Sequence, residues 1–396
     1  MNYKNSIKYL KLTFLTLLLS NFAFSVTNAY AIENTNPEEV YKTAWEILNE
    51  KFYLKSKIDF DKLENKFENK IKTPEDAHFY INKLIQELHD PYTRFLTKEE
   101  FNEEQNIINS KLTGIGIKLA VNKPIIIDIL PQSPAKESGI KPNDYVLKVD
   151  DMSTHNLTSP QIISLFRGER GTKLTVTLKR GHEILTKTLT RRDIQFTSVS
   201  SQLLENNIAV IKIDSLIPEN TSKLFKDEIT KLMSASGIIL DLRNNSGGLL
   251  KNAIEIADMF LNEGKIVSTV GPYGKVNELA NSNKLSESNI VILVNERTAS
   301  ASEILASALK ENNRAIVLGK KTFGKGLVQE IIKLPDDSAL HVTIASYLTP
   351  DGKNINKIGI IPNEIINDEN KLLKRAEDLL LNSDKTKIAA RTVLFL

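Results

Sequence analysis

Three spacings of apolar residues follow one another along the chain. Over residues 35–108 the spacing is helical. Val40, Ala44, Ile47 and Leu48 recur at three- and four-residue steps, as do Phe60, Leu63 and Phe67, and then Ala77, Tyr80, Ile81, Leu84, Ile85 and Leu88. Thr73-Pro74 is a cap followed by a first-turn proline, and Asp90-Pro91 ends the last helix, with His89 at its end. Residues 111–193 break into short strand-like runs at 116–120, 125–130, 145–149, 174–179 and 184–189. Gly139 and Pro142-Asn143 punctuate them, and 159–167 is a short amphipathic helix. From Asn207 strands alternate with helices. Strands are predicted at 208–213, 237–242, 290–294, 315–318, 328–334 and 341–347, and helices at 221–233, 253–260 and 302–309. The first of these strands reads as alternating and the second as buried on both faces. Such alternation predicts a layered α/β core.

The run 290–294 leads through Asn295 and Thr298 into a helix that starts near Ser300. A serine at a strand-to-helix junction lies beside unpaired N–H groups, a place where an oxyanion is stabilised. It is also an ordinary capping residue. Lys325 stands between Gly324 and Gly326, which allow close backbone approach and positive φ. In such a niche a desolvated, neutral lysine can take a serine proton. The same segment is also a plain surface turn with a solvated lysine.

The strings DLRNNSGGLL (241–250), TASASEILASAL (298–309), GKKTFGKGLVQ (319–329) and NINKIGIIPNEI (354–365) resemble, in their order and separation, the carboxyl-terminal processing proteases. These are PDZ-containing Ser–Lys peptidases. DPYTRFL (90–96), LTGIGIKL (112–119) and NINKIGIIP resemble the cyanobacterial and plastid branch. The resemblance covers nearly all of the chain beyond residue 31. It implies a multidomain α/β protein: an N-terminal helical domain at 32–108 without a catalytic residue, a mostly-β PDZ domain at 109–194, and a layered α/β protease core at 195–396, related in shape to the crotonase and Clp folds. It makes Ser300 the nucleophile, Lys325 the general base, and Gln329 the amide that orients the lysine without adding charge. The N–H groups of Ala301 and Gly247 would form the oxyanion hole, with Gly248 the alternative glycine. The loop Gly114-Ile115-Gly116-Ile117 would present N–H groups to the terminal carboxylate of a peptide that adds as a strand. Arg167 is either a switch residue coupling the PDZ domain to the active site or, with Arg170, part of a solvated hairpin. Ser302, inside the helix, is expected to bond back to its own turn. Ser246 stands where close relatives often have proline, and Glu311 reads as a helix-end surface charge.

Composition narrows the picture. A net charge of +3 over 396 residues gives no electrostatic case for nucleic acid. The absence of cysteine excludes disulfides and a thiol nucleophile. No HExxH or P-loop pattern occurs, so neither metal nor cofactor is expected. His155, His182 and His341 have no acid or serine at a diagnostic spacing, which leaves a Ser-His-Asp triad the weaker proposal. Lys4, Lys8 and Lys11, the apolar stretch 12–24 and Ala29-Tyr30-Ala31 read as a secretory signal cleaved after residue 31. The mature chain is then exported, to a periplasm or a thylakoid lumen, with no membrane insertion after cleavage. Its partners would be protein substrates with free C-terminal tails. In an oxygenic phototroph the resemblance implies the photosystem II reaction-centre protein precursor; in other cells it implies envelope-protein turnover. Two rival classes are a non-catalytic tail- or ligand-binding protein, against which retention of both Ser300 and Lys325 argues, and a hydratase, which needs paired carboxylates that the chain does not show.

Overall fold

The computed structural model describes residues 35–393 apart from 65, 111, 121, 122, 195, 196 and 283. The predicted signal segment lies outside them. At the N-terminal side, Asn36 caps α1 (Pro37–Lys51) by accepting the Glu38 N–H at 3.1 Å. Helix α2 (Phe60–Glu64) follows, and Thr73 and Asp76 form a capping box on α3 (Pro74–Gln86). The apolar faces of these helices meet Leu340 and Val342, which come from the far end of the chain.

The helical expectation for 35–108 fails at one place. Residues Arg94–Leu96 form a strand, β1, before helix α4 (Lys98–Ile108). The segment follows Asp90-Pro91, is three residues long and has no period to read. Its partner strand lies some 245 residues further on, and pairs Arg94 with His341.

The next module is mostly β, as the short runs predict. Strand β2 (Leu112–Gly114) pairs with β9 (Arg192–Ile194) at its base. Among the described residues, strand β3 (Ile117–Leu119) pairs only with β4 (Ile126–Ile129). After α5 (Pro134–Glu137), strands β5 (Tyr145–Val149), β6 (Met152–Ser153), β7 (Lys173–Arg180) and β8 (Glu183–Thr190) form a four-stranded sheet in the order β6-β5-β7-β8. Helix α6 (Ser159–Phe166) covers it, and Ile126, Val146, Ile162 and Val176 fill the module's own core.

A six-stranded sheet carries the rest. Its order is β10 (Val199–Leu203), β11 (Ile208–Ile213), β12 (Gly237–Asp241), β15 (Asn289–Val294), β16 (Ala315–Gly319), β19 (Glu364–Ile365). All neighbours are parallel except β10 with β11. Helices α7 (Thr221–Lys231), α8 (Leu250–Asp258) and α9 (Ala301–Glu311) make the crossovers. Strand β11 is buried on both faces rather than alternating. Ala209 and Ile211 meet the crossover helices, while Ile208 and Val210 meet Leu372, Ala376 and Leu380 of α10 (Glu369–Val393). That last helix, unpredicted from the sequence, covers the face that alternation would leave wet. A second, antiparallel sheet contains β13 (Lys265–Gly271), β14 (Gly274–Leu279), β17 (Leu327–Lys333) and β18 (Ala339–Leu348). Strand β17 runs along one edge of β18, and β1 and β13 pair with its two ends. The first chain segment is thereby built into the last sheet. Among the described residues no helix is long and apolar enough to cross a membrane.

Candidate active site

In an open parallel sheet, functional loops gather at the C-terminal strand ends. Here β12, β15 and β16 are neighbours, and the loops leaving them carry Gly247, Ser300 and Lys325. Side chains stitch the first two loops together. Thr298 Oγ donates to the Leu242 carbonyl at 2.9 Å, Asn295 Oδ1 accepts the Asn244 N–H at 3.0 Å, and the Ala299 N–H reaches the Asn245 carbonyl at 3.0 Å. Asp241 and Arg243 brace the turn with a forked ion pair of 2.6 and 2.9 Å.

Ser300 ends this construction as the N-cap residue of α9, with φ 55° and ψ −124°. A non-glycine residue in this region is strained, and such turns push the side chain out at the end of a strand. Gly247 packs directly against it: a Cβ there would lie 2.9 Å from Ser300 Cβ. Gly324 has φ 88°, and a Cβ on Gly326 would lie 2.5 Å from the Asn356 nitrogen, so the lysine loop does need its glycines.

Glu303, missed in the sequence reading, joins the two loops. It is fully buried in the first turn of α9. One carboxylate oxygen accepts the Ser300 N–H at 2.8 Å and the Lys325 N–H at 2.9 Å; the other accepts the Thr322 hydroxyl at 2.5 Å and the Gly324 N–H at 2.8 Å. The main chains of Ser300 and Lys325 are therefore one carboxylate apart. Its position three residues after the cap, a capping-box spacing, was the signal available.

Lys325 is more than half buried. Burial and the charge of Arg94 hold its ammonium below the ordinary lysine range, against the opposing charges of Asp90 and Glu104. Its Nζ donates to Gln329 Oε1 at 2.7 Å and lies 5.1 Å from the centre of the Tyr92 ring. Ser300 and Lys325 line one cavity of about 950 Å³, although Nζ and Oγ do not hydrogen-bond to each other. Ile217, Leu249, Phe323, Leu327 and Tyr347 give this cavity a largely apolar wall. His341 also lines it. Its Nε2 is 2.9 Å from Glu104, an acid 237 residues away in sequence, which no local spacing could have shown.

The N–H groups expected to serve as oxyanion donors divide. The N–H of Ala301, the first residue of α9, has no acceptor among the described residues. The Gly247 N–H, expected as the second donor, is taken by Asn245 Oδ1 at 2.9 Å. The Gly247 carbonyl accepts the Leu216 N–H, so the Gly248 N–H lies on the far side of that planar peptide and has no acceptor among the described residues. Ser302 departs from expectation too: its buried hydroxyl has no partner among the described residues. Glu311 is largely covered and caps the Asp351 N–H at 2.8 Å.

A second cleft of about 380 Å³ lies between β3 and α6, far in sequence from Ser300. Gly114, Ile115, Gly116, Ile117, Leu119, Ile163 and Arg167 line it. The carbonyls of Ile115 and Gly116 accept from Ala135 and Leu130, both at 2.9 Å, which turns the Gly116 and Ile117 N–H groups the opposite way. Arg167 is 3.4 Å from Glu103 of α4, and Arg170 pairs with Asp193.

Residues 207–366 match peptidase family S41, and residues 113–190 match the PDZ domain. The carboxyl-terminal-processing protease of Picosynechococcus sp. is 34% identical over 365 residues, which cover 89% of this chain and 83% of that one. The carboxy-terminal processing protease of Bacillus subtilis is 35% identical over 330 residues, 80% of this chain and 71% of that one. Among solved structures, a photosystem II D1 C-terminal processing protease superposes with a TM-score of 0.61 at 27% identity, covering 85% of this chain and 94% of its own.

Proposed function

The chain belongs to peptidase family S41, among the carboxyl-terminal processing proteases, and on that premise we propose a Ser300–Lys325 endopeptidase whose PDZ domain captures the free C-terminal tail of an exported protein. The observation that carries this reading is Glu303, whose carboxylate fixes the main chains of Ser300 and Lys325 together in the lining of one cavity.

Neutral Lys325 takes the Ser300 proton as Oγ attacks the scissile carbonyl. The N–H groups of Ala301 and Gly248 stabilise the oxyanion. Collapse breaks the C–N bond, and the lysine returns its proton to the departing amine. Water then gives a proton to Lys325 and attacks the acyl-enzyme; the C–Oγ bond breaks, Lys325 returns that proton to Ser300 Oγ, and the shortened protein leaves as an acid. Gln329 holds the amine with a neutral acceptor; a carboxylate there would keep the lysine protonated. At the PDZ domain the tail adds to the free edge of β3, its carboxylate on the Gly116 and Ile117 N–H groups. Arg167, through Glu103, connects that domain to α4, which borders the cavity. Export follows from cleavage of residues 1–31, which puts Ile32 at the mature N-terminus.

The test is cleavage of a protein substrate with a free tail by the wild type, Ser300→Ala and Lys325→Arg. Arginine keeps the charge but does not deprotonate. Both variants should fold and lose at least about a thousandfold in kcat. Comparable cleavage by Lys325→Arg would remove the lysine from the role of base.

A further inference from the structure

In the sequence the motif DPYTRFL marks a helix end at Asp90-Pro91 and a resemblance, in a region assigned no catalytic residue. The structure folds it against the back of the base. The Tyr92 carbonyl accepts Gln329 Nε2 at 2.5 Å, and the Tyr92 ring faces Lys325 Nζ at 5.1 Å. A main-chain carbonyl only accepts, so it fixes which way the Gln329 amide points. With NH₂ on Tyr92, Oε1 must face Lys325, as it does at 2.7 Å. Reversed, the amide would set its NH₂ against the lysine, which would lose its acceptor.

What holds the carbonyl in place is Asp90. Its Oδ2 accepts the Thr93 N–H at 3.0 Å, the Thr93 hydroxyl at 2.6 Å and the Thr343 hydroxyl at 2.6 Å. Thr343 is the cross-strand partner of Gln329 in the β17–β18 pair, at a point where the register shifts between Val328 and Gln329. The Thr343 N–H in turn donates to Thr93 Oγ at 3.2 Å. Asp90 thus ties the segment carrying the Tyr92 carbonyl to the strand position opposite the amide it must orient.

We propose that residues 90–93 position the general base: the Tyr92 carbonyl sets the Gln329 amide, and Asp90 holds that carbonyl in register with β18. This rests on the reading of Lys325 as base. Asp90 touches neither substrate nor the reacting atoms in this scheme; its charge also favours protonated Lys325, so losing that charge would by itself free the base, and a fall in kcat reports the path through Gln329.

The experiment is a double-mutant cycle on the full mature chain with a free-tailed protein substrate, comparing Asp90→Ala, Gln329→Leu and the double variant. Acting through one amide, each single change should lower kcat at least about tenfold with KM within about twofold, and the double should be no slower than the slower single. Thr93→Val, which removes one donor to Asp90, should move kcat in the same direction by less, and keeps the test open if Asp90→Ala fails to fold. Multiplicative losses in the double variant, or a loss in KM alone, would overturn the positioning role. Lys325→Ala is run beside them. Retained activity there would remove the base itself and this proposal with it, whereas an inactive Lys325→Ala with multiplicative losses would remove only the proposal.

Discussion

In the cavity lined by Ser300 and Lys325, a strained serine and a half-buried lysine are fixed by one carboxylate that receives four hydrogen bonds, none longer than 2.9 Å. In the PDZ cleft the lining is mostly apolar, and the polar ties of its rim include an Arg167–Glu103 pair at 3.4 Å and a Lys118–Asp128 pair at 3.5 Å, all four side chains about a third exposed or more. Both clefts use a glycine turn in which a bonded carbonyl turns the N–H of the same peptide the other way, Gly248 in one and Gly116 and Ile117 in the other. The difference lies in what surrounds it. Displacement of a reacting group by about an ångström can cost a hundredfold in rate. A tail that adds to a strand edge needs only a row of donors and an apolar surface. Buried hydrogen bonding is concentrated where position matters, and exposed pairs, each contributing about 0–1 kcal/mol, suffice elsewhere.

Glu303→Gln probes the cavity side hardest. The amide keeps the shape but offers one acceptor oxygen to donors that now occupy two, and its NH₂ must face N–H or O–H groups. Leaving buried donors unmatched costs about 1–3 kcal/mol each. We expect a drop in kcat of about a hundredfold or more, together with a clear fall in melting temperature. Wild-type kcat in a folded Glu303→Gln variant would mean that the contrast between the clefts has been drawn in the wrong place.

The groove side should respond less. Amidating the carboxyl end of the substrate removes its charge and weakens charge-assisted bonds worth roughly 1.5–3 kcal/mol. At subsaturating substrate that predicts a loss of about tenfold or somewhat more in kcat/KM. The measurement compares free-acid and amidated tails on one protein substrate, with Ser300→Ala as the blank. Equal cleavage would show that this PDZ domain does not select by the carboxyl end.

Legibility in the sequence followed the same division. Ser300, Gly247 and Lys325 sit in contiguous strings, and each string is one loop at one strand end, so local pattern finds it. The PDZ strands and the crossover helices also announce themselves by period. What stayed hidden was assembled from distant segments. Strand β1 has too few residues to show alternation, and its partner lies at the other end of the chain. The Glu104–His341 pair and the Tyr92–Gln329 contact each span 237 residues. The two-sided burial of β11 required a helix that its own residues do not mention. Gly247 was readable as a glycine at the site, but the loss of its N–H to Asn245 is a matter of one side-chain rotamer.

The smallest expected shift is in stability, on removing the lysine charge, and its sign separates function from stability. Burial and Arg94 lower the Lys325 pKa in the folded chain relative to the unfolded one. A lysine so shifted destabilises the fold at pH values below the folded pKa, where it is charged in both states. That penalty is relieved as pH rises from the folded pKa to the ordinary lysine value, because the folded form gives up its proton first. Lys325→Met fills similar volume without charge. It should be inactive, yet melt a few degrees above the wild type at neutral pH, with the advantage shrinking as pH rises through the folded pKa. The activity of the wild type runs the other way on the same titration: kcat/KM should climb with pH as the base becomes neutral, through an inflection below the ordinary lysine range. Arg94→Gln removes a charge that lowers the pKa, so the inflection should move upward. Thermal melts across pH and the pH profile of kcat/KM check both halves. A Met variant that is less stable at neutral pH, or a difference that does not change with pH, would mean that Lys325 is not held against its charge. The cavity would then be as permissive as the groove.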